Sequence, residues 1–525
     1  KKTPFNWHKM AAIITDQIRI LNAKNFVSGV TSSSNAYYSF IGLPNPADYQ
    51  SDWDSSPPAP KDNFSEENDY WDTMIAVKKI NSSDVRQVIP KRTWTSGTTY
   101  DMYRHDYSVT NTAAVSGATN LYSAFYYVMN SDFKVYICLQ NGTDPDNPNG
   151  KPSLDEPTFT DLEPRSAGSS GDGYIWKYLY TIKANEVVKF ESTDFMPVPA
   201  NWGSSGDNAA VRDNAVDGSI KIVTVTNAGV GIGTANSTYT RVPIEGDGSG
   251  AECTITVGAD AKVSGVTISN QGSNYSYGSV NLSGGSVPTG TTIPTFDVIM
   301  SPQGGHGKDI YRELGAYNVL LYSRIENDNE NPDFITGNQI ARVGVIENPE
   351  VSTGNVLTSD KASVLSALKL TGVGYSSATF DADSTFTQTV GTGATAVGRV
   401  VSYNTTTGVL KYWQDRSLVG FTTAGIGITN PSYGFNLTEF TSSPDTGGSV
   451  VITPSSGSNL SIDSNFTGIT TVINNRTYYL GQSFTSGVAG PEVKKHAGNI
   501  IYVDNRPSIT RSSNQKEDIK IILQF

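Results

Sequence analysis

Residues Gly171 to Ile182 read GDGYIWKYLYTI, the stretch that most restricts how this chain can fold. Gly171, Asp172 and Gly173 carry turn chemistry, and the residues after them are almost all aromatic or β-branched, which is the composition of a strand. In a strand Tyr174, Trp176, Tyr178, Tyr180 and Ile182 point one way, and Ile175, Leu179 and the methyl of Thr181 point the other. Only Lys177 is out of place. Both faces therefore call for cover, and a strand covered on both faces belongs inside a layered structure.

The rest of the composition agrees. Among 525 residues there are 50 glycines, 27 tyrosines and 19 phenylalanines but only 17% charged side chains, which fits short strands joined by many tight turns. The length allows roughly three or four domains. A net charge of -12 argues against a nucleic-acid partner, which rewards clustered Lys and Arg. Cys138 and Cys253 sit in strand-like segments and read as buried thiols of a reducing compartment; there is no CxxC and no zinc spacing. No apolar run approaches the ~20 residues of a spanning helix, so membrane insertion is not expected. KKTPFNWHKM lacks an apolar signal core, so no secretory signal is expected, and the N-x-S/T triplets carry no glycosylation message.

Taken in order, residues 11 to 27 space Ile14, Ile18 and Leu21 as the buried face of an amphipathic helix, with Phe26 and Val27 closing the apolar side. Tyr37 to Leu43 reads as the first strand. Pro44 to Glu67 is a proline-rich loop that Trp53, Phe64, Tyr70 and Trp71 should pin down. Met74 to Ile80 is a second strand, and Ser82 and Ser83 can cap a short helix before VIPKRTW (Val88 to Trp94), where Lys91, Arg92 and Trp94 form a basic-aromatic group read as edge packing. Leu121 to Met129 and Phe133 to Leu139 form a hairpin about Asn130 to Asp132. Gln140 to Ser170 is a loop whose DPDNPNG imitates the start of a calcium loop. Pro148 and Asn149 stand where a ligand and the required Gly belong, which leaves a solvated acidic loop.

Composition shifts twice. Residues 214 to 295 are rich in Gly, Ser, Thr and Val, and Val223-Thr-Val-Thr-Asn-Ala-Gly229 recurs as Val266-Thr-Ile-Ser-Asn-Gln-Gly272, with a further short strand ending at Gly246 or Gly284. Residues 357 to 493 form a second such block. Gly391-Thr-Gly-Ala394 and Gly408-Val409 there echo Gly248-Ser-Gly-Ala251 and Gly265-Val266, both pairs at the same offset, so the blocks should share a hairpin. Between the blocks come FDVIM, the glycine loop PQGGHGKD, which lacks the P-loop pattern, and strands at Val319 to Ile325 and Ile340 to Ile346. His306 in that loop reads as a turn residue bonded to backbone. Ile500 to Val503 is a strand, Asp504 to Pro507 a turn, and Ile519 to Phe525 a closing strand that completes a sheet begun far upstream.

The expected fold is therefore mostly β: a layered antiparallel β-sandwich core with a few helices in loops, interrupted by two Gly/Ser/Thr-rich β insert domains. Core segments would be 1–213, 296–356 and 494–525, and the inserts 214–295 and 357–493.

Three motifs carry a resemblance. Gly171, Asp172, Gly173, Tyr174 and Trp176, then Pro90, Arg92 and Trp94 of the VIPKRTW turn, and Asn505, Arg506 and Pro507 near the C-terminus are similar to scaffold positions of the gene-product-eight family of baseplate wedge subunits from T-even-like contractile-tailed phages. Cys138-Leu139, Gly337-Asn338 and Asn348-Pro349 match more weakly, in family order, over about 10–213, 296–356 and 494–525. The match begins near Met10, so residues 1–9 read as an upstream extension, and the two extra blocks resemble those of enlarged cyanophage versions. The resemblance implies a homodimer in the virion's tail baseplate, assembled in the host cytoplasm beside counterparts of gene products six, seven, ten and fifty-three. It implies no catalytic residue, cofactor or metal.

The residues themselves offer no catalytic constellation: there is no HExxH or GxSxG, and His8, His105, His306 and His496 lie far apart. Two alternatives remain open. One is a polysaccharide-degrading tailspike using carboxylates between Asp144 and Glu163; the other is a glycan-binding tail protein using Tyr275, Tyr277 and Trp413.

Overall fold

The computed structural model describes residues 13–525 apart from 33–34, 49, 204–206, 328–333, 416–420, 424–425, 429–437 and 514. The protein is mostly β, 40% strand and 10% helix, and is built of antiparallel sheets. It divides into two compact units: residues 1–27, 86–321 and 521–525, and residues 28–85 and 322–520.

Unit one is centred on a three-stranded sheet in the order Tyr127–Met129, Lys134–Asn141, Tyr174–Thr181. Cys138 stands opposite Trp176 and Val135 opposite Tyr180. The expected hairpin is present. Asn130 Oδ1 accepts from the N–H groups of Asp132 (2.9 Å) and Lys134 (2.8 Å), which closes the turn. Its first strand is shorter than expected, because Leu121–Ser123 is a 3₁₀ turn capped by Asn120.

Tyr174–Thr181 lies at the edge of this sheet rather than in its middle. The loop after residue 140 covers the edge: Arg165 and Trp176 exchange two backbone hydrogen bonds, each 3.0 Å. A long apolar edge left bare would be a site of aggregation, so the loop is structural cover. It also resolves Lys177, which is buried and donates from Nζ to Leu162 O at 2.8 Å.

The first helix spans Asp16–Thr31; Phe26 packs inward as expected, but the Ile14, Ile18 and Leu21 ridge is turned outward. Ile20, Ala23 and Val30 are buried, whereas Ile14, Ile18 and Leu21 are exposed. The orientation is set by Arg19, which donates from Nε to Phe525 O (2.5 Å) and lies 3.8 Å over the Tyr317 ring, and by Phe26, whose ring centroid is 5.4 Å from that of Phe525. Those contacts lie on the face opposite the isoleucine ridge, so anchoring wins over the hydrophobic period.

The first Gly-rich block builds strands Ile220–Asn227, Thr238–Gly246, Ser249–Val257, Val263–Ser273 and Gly278–Val280, and Thr295–Met300, which lies almost wholly beyond the block, pairs with Ile220–Asn227 and shares their apolar core, with Cys253, Ile255 and Val263 inside. The two copies of the sequence repeat fall on Ile220–Asn227 and Val263–Ser273, which run side by side, joined where Val263 N donates to Ala228 O (2.9 Å). Gly246 ends a strand as expected; Gly284 lies in a turn beyond Gly278–Val280. The closing strand Lys516–Gln524 joins a four-stranded sheet with Asn318–Glu326, Val85–Pro90 and Phe195–Pro197, so the C-terminus does complete a sheet begun upstream.

Unit two holds a five-stranded sheet in the order Lys361–Ser363, Met74–Lys79, Tyr37–Gly42, Gln339–Glu347, Asn499–Thr510. Its second Gly-rich block contains the meander Thr385–Gly391, Ala394–Asn404, Val409–Trp413. Gly391 to Ala394 and Gly248 to Ala251 both sit at the first hairpin of a three-stranded meander, which accounts for the shared offset.

The Asp504 to Pro507 turn is overturned. Asn499–Thr510 runs through it as one strand, with Asn505 opposite Arg342 and Ile509 opposite Ile340. More residues stand on this strand than on its partner there, a bulge that leaves Pro507 without a ladder bond to donate. In the proline-rich loop Trp53, Tyr70 and Trp71 are buried, but Phe64 is exposed at the start of helix Phe64–Thr73, whose cap is Asn63 Oδ1 accepting from Glu66 N at 2.9 Å. Asn81, not Ser82 or Ser83, is the residue before the short 3₁₀ helix Ser82–Asp84.

Candidate functional site

Three motif residues of unit one, Trp94, Asp172 and Tyr174, converge on one short piece of loop, Lys151 to Leu154. Asp172 Oδ2 accepts from Leu154 N (2.9 Å) while its Oδ1 accepts from Tyr174 N (3.0 Å). Tyr174 OH donates to Lys151 O (2.7 Å) and accepts from Tyr100 N (2.9 Å). Trp94 Nε1 donates to Ser153 Oγ (3.1 Å), and Ser153 exchanges backbone bonds with Gly97 and Thr98. Gly171 and Gly173 have φ of +74° and +80°, and a Cβ on Gly173 would lie 2.8 Å from Gly142 Cα, so glycine is required there on both counts.

Above this junction the aromatic side chains stack. Trp176 is fully buried, with its ring centroid 5.3 Å from that of Tyr174 at an interplanar angle of 16° and 5.8 Å from that of Tyr100. Its Nε1 has no hydrogen-bond partner among the described residues. Arg92 lies 4.6 Å over both the Phe125 and Tyr127 rings and donates to Ala124 O, Pro90 O accepts from Tyr127 OH (2.9 Å), and Lys91 pairs with Glu191 (2.5 Å). The basic-aromatic group is packing, as its composition suggested.

Asn505, Arg506 and Pro507 belong to unit two and serve a different centre. Asn505 Oδ1 accepts from Arg342 Nε (2.8 Å), its Nδ2 donates to Pro58 O (2.9 Å), and Arg506 O accepts from Trp53 Nε1 (2.8 Å). The hub is Arg342, buried, bonded also to Asn45 Oδ1 (3.2 Å) and Thr73, and set over the Trp53 and Tyr70 rings at 5.2 and 4.9 Å. Sequence reading passed over it as one charge in the apolar strand IARVGVI. A lone Arg amid β-branched neighbours was the available signal.

The carboxylates of the acidic loop are engaged in structure. Asp144 Oδ1 accepts from Asp146 N, Asn147 N and Asn147 Nδ2 at 2.8 to 3.0 Å, and the other oxygen pairs with Lys151 (2.7 Å). Asp155 accepts from Ser170 N (2.9 Å), Glu156 from Ser131 N (2.8 Å) and Asp161 from Arg165 (2.8 Å), while Glu163 pairs with Lys221 (2.6 Å). The loop is thus less solvated than its composition implied. His306 is bonded to a side chain, not to backbone: its Nδ1 lies 2.6 Å from Glu313 Oε1, both buried, and Glu313 Oε2 accepts from Gly307 N (2.7 Å). Among the described residues no group of three or more His, Cys, Asp and Glu is placed to hold a metal, and both cysteines are free and buried. Of the three aromatics read as glycan contacts, Tyr275 and Trp413 are buried and only Tyr277 is exposed. The chemistry of these positions goes into holding the chain together.

Residues 12–167 match the family model described as Bacteriophage T4, Gp8. The baseplate wedge protein gp8 of Enterobacteria phage T4 is 25% identical over 211 residues, which are 36% of this chain and 60% of that protein. The chain thus spans less than two thirds of the relative's length. The matched segment contains VIPKRTW and the hairpin that pairs with the aromatic strand, and over it the chain is similar to the Gp8 family of phage baseplate wedge proteins.

Proposed function

We propose that this protein is a structural, non-enzymatic component of a contractile phage tail, placed in the baseplate wedge, where it assembles with other wedge subunits as the baseplate rearranges on contraction. The likeness of residues 12–167 to the Gp8 family carries this reading. The geometry supports it: Trp94, Asp172 and Tyr174 bond to the Lys151 to Leu154 loop, Arg92 packs on Phe125 and Tyr127, and Trp176 is buried in the aromatic stack. In this reading the protein is a homodimer, its partners are counterparts of gene products six, seven, ten and fifty-three, and the Gly-rich blocks are inserted β modules that enlarge its contacts. Assembly takes place in the host cytoplasm.

The test is crosslinking within intact virions followed by mass spectrometry, with light scattering of the purified chain. Crosslinks to baseplate proteins and a dimeric mass are expected. Crosslinks only to fibre or head proteins, or a trimer that cleaves polysaccharide, would overturn the reading.

A further inference from the structure

We propose that a cavity of about 480 Å³ in unit one binds an extended, uncharged segment of a partner polypeptide, which lies along the edge of Val263–Ser273 as an added strand. The lining shows which part of that strand faces the cavity. Side chains of a strand alternate between its two faces, so a cavity over one face is lined by every second residue. Here Val266 to Gln271 line it in unbroken succession, as do Lys221 to Val223 of Ile220–Asn227. Consecutive residues border a cavity along the strand's edge, where the N–H and C=O groups point.

Both strands end their sheets at this place. Val263–Ser273 is the outermost of four and pairs with Ser249–Val257, and Ile220–Asn227 pairs with Thr295–Met300. The two are tied where Val263 N donates to Ala228 O (2.9 Å) and Asn274 N to Asp217 O (2.8 Å), and no ladder joins them in between. A bulge on each strand accounts for this. Lys221 and Ser269 are extra residues relative to the paired strands, and an extra residue bends a strand and breaks its register.

The edge is suited to a further strand. Residues 263–273 read VSGVTISNQGS, without a charged residue or a proline, the devices that natural sheets use to blunt an open edge. Thr267, Ser269 and Asn270 are exposed, so the edge is reached from solvent. Glu163 and Lys221, the charged residues of the lining, pair with each other (2.6 Å), which leaves no net charge to draw an ion. Among the described residues no aromatic ring lines the cavity to stack a sugar. Gln140, also in the lining, has a side-chain amide without a partner among the described residues, and it offers the added chain a donor and an acceptor. Main-chain bonds to an edge give such a segment its affinity. Gln140, Pro164 and Ile175 wall the cavity from other elements, so it admits one extended segment and not a folded sheet, which selects a partner's tail or loop over the same edge of a second copy.

The inference deepens the assembly reading, on which it rests only for the partner being a tail protein. Acetyl-Thr-Val-Thr-Val-Thr amide is the probe, added to the full chain and followed by amide exchange with mass spectrometry. At saturation, exchange of the outward amides in fragments covering 263–273 should slow at least about tenfold, while Lys134–Asn141 keeps its rate. The same peptide N-methylated at every residue, which cannot donate, should slow nothing, and nor should glucose. Thr267→Trp, which fills the cavity from an exposed position, should abolish the effect. Thr267→Lys, which places a charge on the edge, should weaken binding about tenfold. Wild-type exchange of Lys134–Asn141 in each variant shows that it is folded. No slowing with the probe, equal slowing with the N-methylated peptide or glucose, or unchanged binding in either folded variant would overturn the proposal. So would slowing that the chain shows by itself as its concentration rises, which marks a second copy as the occupant. The titration needs no other tail protein, so its failure is separate from failure of the crosslinking experiment.

Discussion

Replacing Trp176 by alanine tests the scaffold reading most directly. The indole is fully buried, stacked on Tyr174 and edge-on to Tyr100. Truncating a buried tryptophan costs about 3–5 kcal/mol through lost transfer energy and the cavity left behind. One effect runs the other way: Nε1 is buried without an acceptor among the described residues, and removing an unpaired donor returns about 1–3 kcal/mol. The net cost should therefore fall at about 2 kcal/mol. Trp176→Phe separates the two effects, since it keeps an aromatic ring against Tyr174 and removes the unpaired N–H. Its net cost should stay within about 1 kcal/mol. Amide exchange in Lys134–Asn141, the paired strand, reports on this sheet. For amides that exchange by unfolding of the sheet, about 2 kcal/mol is about thirtyfold faster exchange. An alanine variant within about 1 kcal/mol of wild type, or a phenylalanine variant as costly as alanine, would refute the reasoning. A well-folded alanine variant defective only in a chemical reaction would refute the non-enzymatic reading as well.

Other outcomes follow from single positions. Gly173→Ala meets both a positive φ and the backbone of Gly142, so urea denaturation should show a loss of at least about 1–2 kcal/mol, whereas Gly97→Ala, with open space around its Cβ, should cost less. Asp247 accepts from Ser276 Oγ and from the N–H groups of Ser276 and Tyr277, which lowers its pKa to about 2. A depressed folded-state pKa means the contribution is present above the unfolded value near 4 and is lost as pH falls towards 2; ¹³C-carboxyl titration should show it, and a midpoint near 4 would contradict the bonding. Burial raises both thiols, that of Cys253 to about 11, so a thiol reagent at pH 8 should find no reactive cysteine in the native protein and two after denaturation. Asn505→Leu removes an acceptor from buried Arg342 and should cost about 1–3 kcal/mol by urea denaturation, with no loss counting against Arg342 as a hub.

The reading of individual strands from sequence succeeded where a side-chain period of two coincided with turn residues. Tyr174 to Thr181, the Asn130 hairpin and Ile340 to Ile346 are found close to where the alternation put them. It failed where a distant contact decided the outcome. The ridge of Ile14, Ile18 and Leu21 satisfies a helical period, yet Arg19 and Phe26 are held by Tyr317 and Phe525, and nothing in the local pattern records those partners. Pro507 reads as a turn because a proline cannot donate to a ladder, and only the pairing with Gln339–Glu347 shows a bulge that removes the need.

By itself the sequence determined the class of the protein: a β-rich chain of short strands, its aromatic core residues, its two Gly-rich blocks and its likeness to a tail-scaffold family, all encoded in local period, turn chemistry and ordered motifs. Tertiary structure alone decided that the aromatic strand is an edge protected by a loop, that the family-like motifs divide between two units, and that carboxylates from distant segments gather around Arg399. The physical reason is that strand propensity is a property of neighbours along the chain. Edge protection, buried charge and cavities depend on residues brought together across hundreds of positions, where burial and hydrogen-bond satisfaction set the energy.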